Sequence, residues 1–306
     1  MTRLTLGPIL FHWPAQQKID FYAKIADEAP IDTVYLGEVI CSKRAPFFEQ
    51  HYAKVTERLE RGGKKVVFAS LAEVMLKRER KMTEGLCDMQ DHEIEVNDTS
   101  ALLHLSGRPH RIGPYMNVYN EETMAYLAGR GATHFSLPIE LPGKAVEVLC
   151  QHAARLGLSI EVQVFGRASL ALSARCYHAR AHSRIKDNCQ FVCEQDPDGM
   201  PLKTLSGQDF LAINGIQTLS HTCLNLLAEL DQLTDVGVSD FRLVPHTQDM
   251  VGVAQIFRAA LDRELSAEDA ENKLGAKQFP APFSNGFWHG QPGHVRVGRS
   301  HDSPSI

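Results

Sequence analysis

Short runs rich in β-branched and aromatic residues recur along the chain, and helical spacing fills most of the intervals between them. The β-rich runs are residues 4–10, 33–38, 65–70, 93–98, 115–120, 134–138, 159–166 and 241–245. In residues 144–158, Ala145, Val148, Leu149 and Leu156 fall near one helical face, and Gly157 marks the C-terminal stop. Residues 121–131 form a second helical run, capped by Asn120 and closed by Gly129 and Gly131. Eight strands alternating with helices at roughly 30-residue intervals predict an α/β fold, a (β/α)8 TIM-barrel-like body. A flavodoxin-like doubly wound sheet is the alternative, because local patterning does not distinguish a closed sheet from an open one.

The regularity breaks once. About 75 residues separate the seventh β-rich run from the eighth, too many for one crossover. This insertion, residues 167–240, contains the segment RCYHARAHSRIKDNCQFVC, then DPDG at 196–199, and AINGIQTLS as a candidate extra strand. DPDG resembles the start of a calcium loop, but the remaining ligand spacing is absent, and a turn is the better reading. Residues 1–276 are therefore expected to form a single barrel-like domain that includes the insertion. Residues 277–306 carry Pro280, Pro282, Gly286, Gly290, Pro292 and Gly293 with little periodicity, and read as an irregular tail.

Composition narrows the function classes. The 306 residues are 43% hydrophobic and 23% charged, an ordinary globular mix, and the formal net charge of −5 makes no case for nucleic acid or an anionic membrane. No export signal and no run of roughly 18 apolar residues is evident, so the expected location is cytoplasmic and no transmembrane segment is expected. Seven cysteines in such a chain argue for metal binding or buried thiols rather than a disulfide framework.

Cys87, Cys150 and Cys223 read as buried apolar fillers. Cys176, Cys189 and Cys193 cluster, with twelve and then three residues between them, and Cys41 directly follows the second β-rich run. Segments that follow barrel strands share one face, so the four thiols could converge across the 134 residues between Cys41 and Cys176. Lys43 and Arg44 flank Cys41, and Arg175, Arg180, Arg184 and Lys186 accompany the trio. Nearby cations favour the thiolate, the form that binds metal. Spacing alone leaves two metals open, a four-cysteine zinc site or an iron–sulfur cluster.

Other candidates are polar residues at strand ends: Glu38, Asn97, Asp98, Asn117, Asn120 and Glu140. They could line a substrate pocket, although Asn120 and Asp98 also suit helix caps. No HExxH helix, GxSxG elbow or phosphate loop is present. Among the fourteen histidines we read no i, i+4 pair with an acidic partner. A Cys41–His182 pair is the remaining route to a peptidase.

Residues 35–44 (YLGEVICSKR), 95–143, 173–193 and 285–293 (NGFWHGQPG) resemble the collagenase-like peptidase family, within it the branch that serves ubiquinone biosynthesis. The resemblance implies a TIM-barrel-type fold and a [4Fe–4S] cluster on Cys41, Cys176, Cys189 and Cys193. It also implies a heterodimer with UbiU, itself a cluster protein, and a role in oxygen-independent ring hydroxylation of a quinone precursor. The lipid carrier UbiT belongs to the same pathway. The catalytic residues stay unassigned. A non-redox scaffold around structural zinc, or a peptidase, are the other readings.

Overall fold

The computed structural model describes residues 2–105, 107–277, 279 and 281–298. Its strands are β1 (Arg3–Leu6), β2 (Thr33–Leu36), β3 (Lys65–Ala69), β4 (Glu93–Val96), β5 (His110–Ile112), β6 (Ala132–Ser136), β7 (Ser159–Leu172), β8 (Met200–Lys203), β9 (Asp209–Asn214), β10 (Gln217–Asn225), β11 (Asp240–Leu243) and β12 (Phe283–Ser284). Parallel pairing runs β1 to β7 in chain order, and β11 joins β7 to β1, closing an eight-stranded barrel. At the seam Asp240 pairs with both Arg3 and Glu161. The fold is TIM-barrel-like, with the insertion placed after the seventh strand.

Local chemistry explains most of the elements. The Asn120 side chain accepts from Thr123 N at 2.9 Å to start helix Glu121–Ala128, and Gly157 at φ 69° ends helix Gly143–Leu156. The fifth strand departs from expectation. Residues 115–120 are not a strand; β5 is the three-residue segment His110–Ile112. Pro114 has no N–H to offer a ladder and opens a 3-10 turn, and Asn117 stands at φ 55°, in the left-handed region.

β7 is longer than the barrel needs. Its first half pairs in parallel with β6 and β11, and its second half, Phe165–Leu172, pairs antiparallel with β10. The change of partner comes at Gly166 (φ 108°), where a Cβ would stand 2.8 Å from that of Val244. The candidate extra strand in the insertion is in fact two, β9 and β10, turning at Gly215, with β8 beyond them.

The tail has more structure than its composition suggests. β12 pairs with β10, Asn285 is buried against Glu229 (2.8 Å), and Trp288 is buried with its Nε1 donating to Gln232 (3.2 Å). Pro280 and residues 299–306 lie outside the described residues. Among the described residues, no helix is long and apolar enough to cross a membrane.

The barrel interior is polar at its centre. Arg242 of β11 bonds both Glu95 of β4 and Glu161 of β7, and its guanidinium lies 4.1 Å over the Tyr35 ring. Tyr35 donates to Glu161 (3.1 Å) and accepts from Arg111 (2.8 Å). Each charge here has an opposite partner, which is what allows burial at all.

Candidate metal centre and adjoining pocket

Cys41, Cys176, Cys189 and Cys193 line one small cavity at the C-terminal end of the barrel strands, with Lys43, Arg44, His178, Lys186 and Gly215. Different devices aim the thiols. Cys41 precedes a 3-10 stretch, Ser42–Phe47, and Glu38 Oε1 accepts from the N–H groups of Ile40 (3.1 Å) and Cys41 (3.0 Å). Cys176 caps helix Tyr177–Ala181: its sulfur accepts from Ala179 N (3.4 Å) and donates to Gly215 O (3.2 Å). Cys189 and Cys193 bracket Gln190 and Phe191, both left-handed at φ 48° and 53°. Asn214 Nδ2 holds the Cys193 carbonyl at 3.2 Å, and Arg184 donates to that of Cys189 at 3.3 Å.

The two distant parts of the chain are fastened directly. Lys43 Nζ donates to the carbonyls of Lys186 (2.7 Å) and Asp187 (3.1 Å). Arg44, fully buried, donates to Leu10 O (3.1 Å) and Asn214 Oδ1 (2.6 Å) and sits beside the Cys193 sulfur. Burial works against its charge, but Cys193, Glu38 and Cys41 hold the guanidinium above its ordinary range.

These cations do not have the expected net effect on the thiols. Burial pushes Cys41, Cys176 and Cys193 up, and the opposing pull of Arg44 is the smaller influence. Of the basic run, Lys186 faces the cavity, while Arg175 and Arg180 are exposed. Burial thus favours the protonated form of Cys41, Cys176 and Cys193, and binding a metal releases protons.

The spacing of the sulfurs is informative. No three of the four lie mutually within 4.8 Å. Four thiolates on a single zinc ion would stand roughly 3.8 Å apart, from bonds of about 2.3 Å. The free space they enclose is about 20 Å³, room for one or two waters.

A larger cavity of about 370 Å³ opens beside this centre. Asn97, Asn117 and Glu140 line it, whereas Glu38, Asp98 and Asn120 do not. Asp98 accepts from Ser100 N (2.8 Å) at the start of helix Ser100–Leu105, and Asn120 caps as described. Glu95, Gln163 and Arg242, which patterning did not single out, line it too, with Ser136 and Ser169. For Glu95 and Arg242 the signal was present: EIEV and DFRL place them alternately with buried apolar residues. Leu10, Ala72, Tyr115, Leu172 and Val244 line this cavity and also belong to the apolar cluster around Cys41, Cys176 and Cys189.

One expectation about histidines is overturned. His178 and His182 are an i, i+4 pair, and Asp196 is their acidic partner. Cys87, Cys150 and Cys223 are buried away from the four-cysteine cavity.

A family model described as peptidase family U32 matches residues 21–297. Two solved structures show weak likeness. An uncharacterized B. cereus protein is 10% identical at a TM-score of 0.38, over 90% of this chain and 65% of that one, so the chain spans just under two thirds of its length. A truncated 3-deoxy-D-arabino-heptulosonate 7-phosphate synthase from Thermotoga maritima is also 10% identical, with a TM-score of 0.37, over 92% of this chain and 89% of that one.

Proposed function

We propose, for a chain that belongs to peptidase family U32, that Cys41, Cys176, Cys189 and Cys193 hold a [4Fe–4S] cluster. In this reading the protein is the UbiV-type partner of UbiU in the oxygen-independent hydroxylation of a quinone precursor during ubiquinone biosynthesis. The observation that carries it is the meeting of four thiols from two remote segments around one cavity, with no three of the sulfurs mutually within 4.8 Å. A polynuclear cluster, whose ligating sulfurs sit on separate irons, suits that spacing better than zinc does.

The surrounding residues suit the same group. A cluster on four thiolates is anionic, and Arg44, Lys43 and Lys186 supply positive charge around it. Arg44 holds its charge against Cys193, and Lys43 clamps the loop on which Cys189 lies. When bound, such a cluster supplies one-electron transfer. The adjoining cavity would orient the substrate ring, with Asn97, Asn117 and Gln163 offering hydrogen bonds and Pro8, Leu10 and Val244 apolar contact. The shared apolar wall keeps water from the thiols.

The family name carries a peptidase activity, which this arrangement favours less. Arg44, beside both Cys41 and Cys193, is a permanently protonated guanidinium that cannot take a proton from a nucleophile, and the Glu38 carboxylate near Cys41 is engaged by the N–H groups of Ile40 and Cys41.

Anaerobic purification with iron, sulfide and zinc analysis tests the proposal. A brown protein with about four irons per chain, as the cluster formula requires, is the expected result. Cys41→Ala and Cys193→Ala should bleach it and should not unfold it. Colourless protein with stoichiometric zinc would defeat the cluster reading. Failure to co-purify with UbiU, or with the carrier UbiT in the larger assembly, would defeat the pathway reading alone.

A further inference from the structure

We propose that His178, His182 and Asp196 form a second metal site, adjoining the four cysteines through His178 but with its own ligand set, that takes one divalent transition-metal ion of the zinc and iron class. The helix Tyr177–Ala181 and its C-cap residue His182 set the two imidazoles one turn apart, and their rings stack with planes 8° from parallel and centroids 5.5 Å apart. Asp196 comes from the far side of the cysteine loop, and its Oδ2 lies 3.0 Å from His178 Nε2. One donor atom from each of the three residues lies within 4.8 Å of the other two. Ligands on one tetrahedral ion at about 2.0–2.2 Å stand roughly 3.3–3.6 Å apart. The His178–Asp196 separation, 3.0 Å, is a little inside that value, and small side-chain rotations would bring the three donors to it.

Two further observations bear on the site. His178 is wholly buried, and its Nε2 has the Asp196 carboxylate as its partner, an ion pair at 3.0 Å whose hydrogen-bond alignment is poor. A buried polar nitrogen in that state is costly unless something bonds it. The main chain that carries Asp196 is also fixed: Asn214 Nδ2 donates to the Asp196 backbone carbonyl at 2.9 Å, and Trp13 Nε1 donates to the neighbouring Pro197 carbonyl at 2.7 Å. Anchoring of this backbone keeps the carboxylate beside the imidazole.

Donor chemistry sets the class of ion. Two imidazoles and one carboxylate select zinc, iron, cobalt or nickel over calcium or magnesium. The Asp196 side chain is 26% exposed, which leaves an entry path and open coordination positions on the solvent side. The rival account is an ion pair that merely braces the cysteine loop. The other three-residue cluster, His134, Glu161 and Asp240, offers no such opening, because Arg3, Arg242, Thr5 and Tyr35 already take its carboxylates.

The test is titration of the anaerobically purified full chain with Co2+ alone, followed by desalting and elemental analysis. The expected result is one cobalt per chain beyond the iron, with weak visible bands and no thiolate-to-cobalt charge transfer. His182→Ala and Asp196→Asn should each weaken cobalt binding by at least about 10-fold, a loss seen even for outer-shell changes, while iron and sulfide stay unchanged. No retained cobalt, retention equal to wild type in both variants, or cobalt bearing a thiolate charge-transfer band would overturn the proposal. Iron and sulfide counts report on the cysteines independently, so the two sites can fail separately.

Discussion

Gly215 leaves the space that the Arg44 guanidinium occupies: a Cβ on residue 215 would stand 2.4 Å from Arg44 Nη2. The same glycine is at φ 66°, and its carbonyl accepts from the Cys176 thiol. One residue without a side chain therefore admits the buried cation and aims a thiol. Gly215→Ala is expected to cost about 1–3 kcal/mol from backbone strain alone, with further loss from displacing Arg44. Urea unfolding of the metal-free chain measures the first effect, and iron content after anaerobic purification the second. Wild-type values in both would show that Arg44 can rest elsewhere.

Arg242 sits between Glu95 and Glu161 deep in the barrel, so removing it strands two buried carboxylates. Arg242→Met should destabilise the chain by about 3–5 kcal/mol, the usual cost of breaking a buried ion pair from one side. Thermal unfolding followed by circular dichroism reads this. A loss below 1 kcal/mol, on the order of a surface pair, would mean that water or relaxation compensates the acids.

The acid limb of stability follows from the same interior. Burial opposes ionisation of Asp240 and Glu161, but His134, Arg3 and Ser239 around Asp240, and Arg242 with Thr5 around Glu161, hold both below the usual carboxylate range. A carboxyl depressed in the folded state stabilises above its unfolded value and loses that contribution as pH falls through the folded value. Stability should therefore decline as pH drops below about 4, where carboxylates of the unfolded chain begin to protonate. Asp240→Asn should flatten the decline; an unchanged profile in that variant would assign it to other groups.

At the alkaline end the sign reverses. Burial raises Cys87 and Cys223 to about 11 and Cys150 to about 12. The folded chain keeps protons that the unfolded chain releases near pH 9, so stability falls as pH rises from there toward 11 or 12. Denaturant midpoints between pH 8 and pH 11 give the slope, and a level profile would contradict the buried state of these thiols.

Patterning made the strands and their order legible, because apolar runs bounded by glycines and caps such as Asn120 are local signals. It failed at β5, where three residues suffice and the more convincing alternation in Tyr115, Met116 and Val118 belongs to a turn broken by Pro114 and Asn117. Convergence of Cys41 with the trio was legible because both follow strands of one barrel face. The partners of those thiols were not. Arg44 reaches Asn214 across 170 positions, and the shift of Cys41, Cys176 and Cys193 depends on burial that no neighbouring residue reveals. His178 and His182 were in plain sight at helical spacing; Asp196, which gives them chemical meaning, arrives only through the fold.

The tail gives a further expectation. Trp288 and Asn285 are buried against the chain's own residues, while residues 289–292 are exposed, so the first half of NGFWHGQPG is spent internally. Deleting residues 281–306 should lower stability by about 3 kcal/mol or more, the scale of losing one buried tryptophan. Loss of heterodimer with an unchanged unfolding midpoint would instead place that segment at the interface.

β7 runs without interruption from the barrel wall at Glu161 to Leu172, one residue short of Ser173 and four short of Cys176. The strand is paired throughout, with β6 and β11 up to Phe165 and with β10 from there to Leu172. A displacement of the thiol loop therefore has to pull on the barrel's own staves, and the insertion behaves as a buttress bolted to the wall rather than a door hung on it.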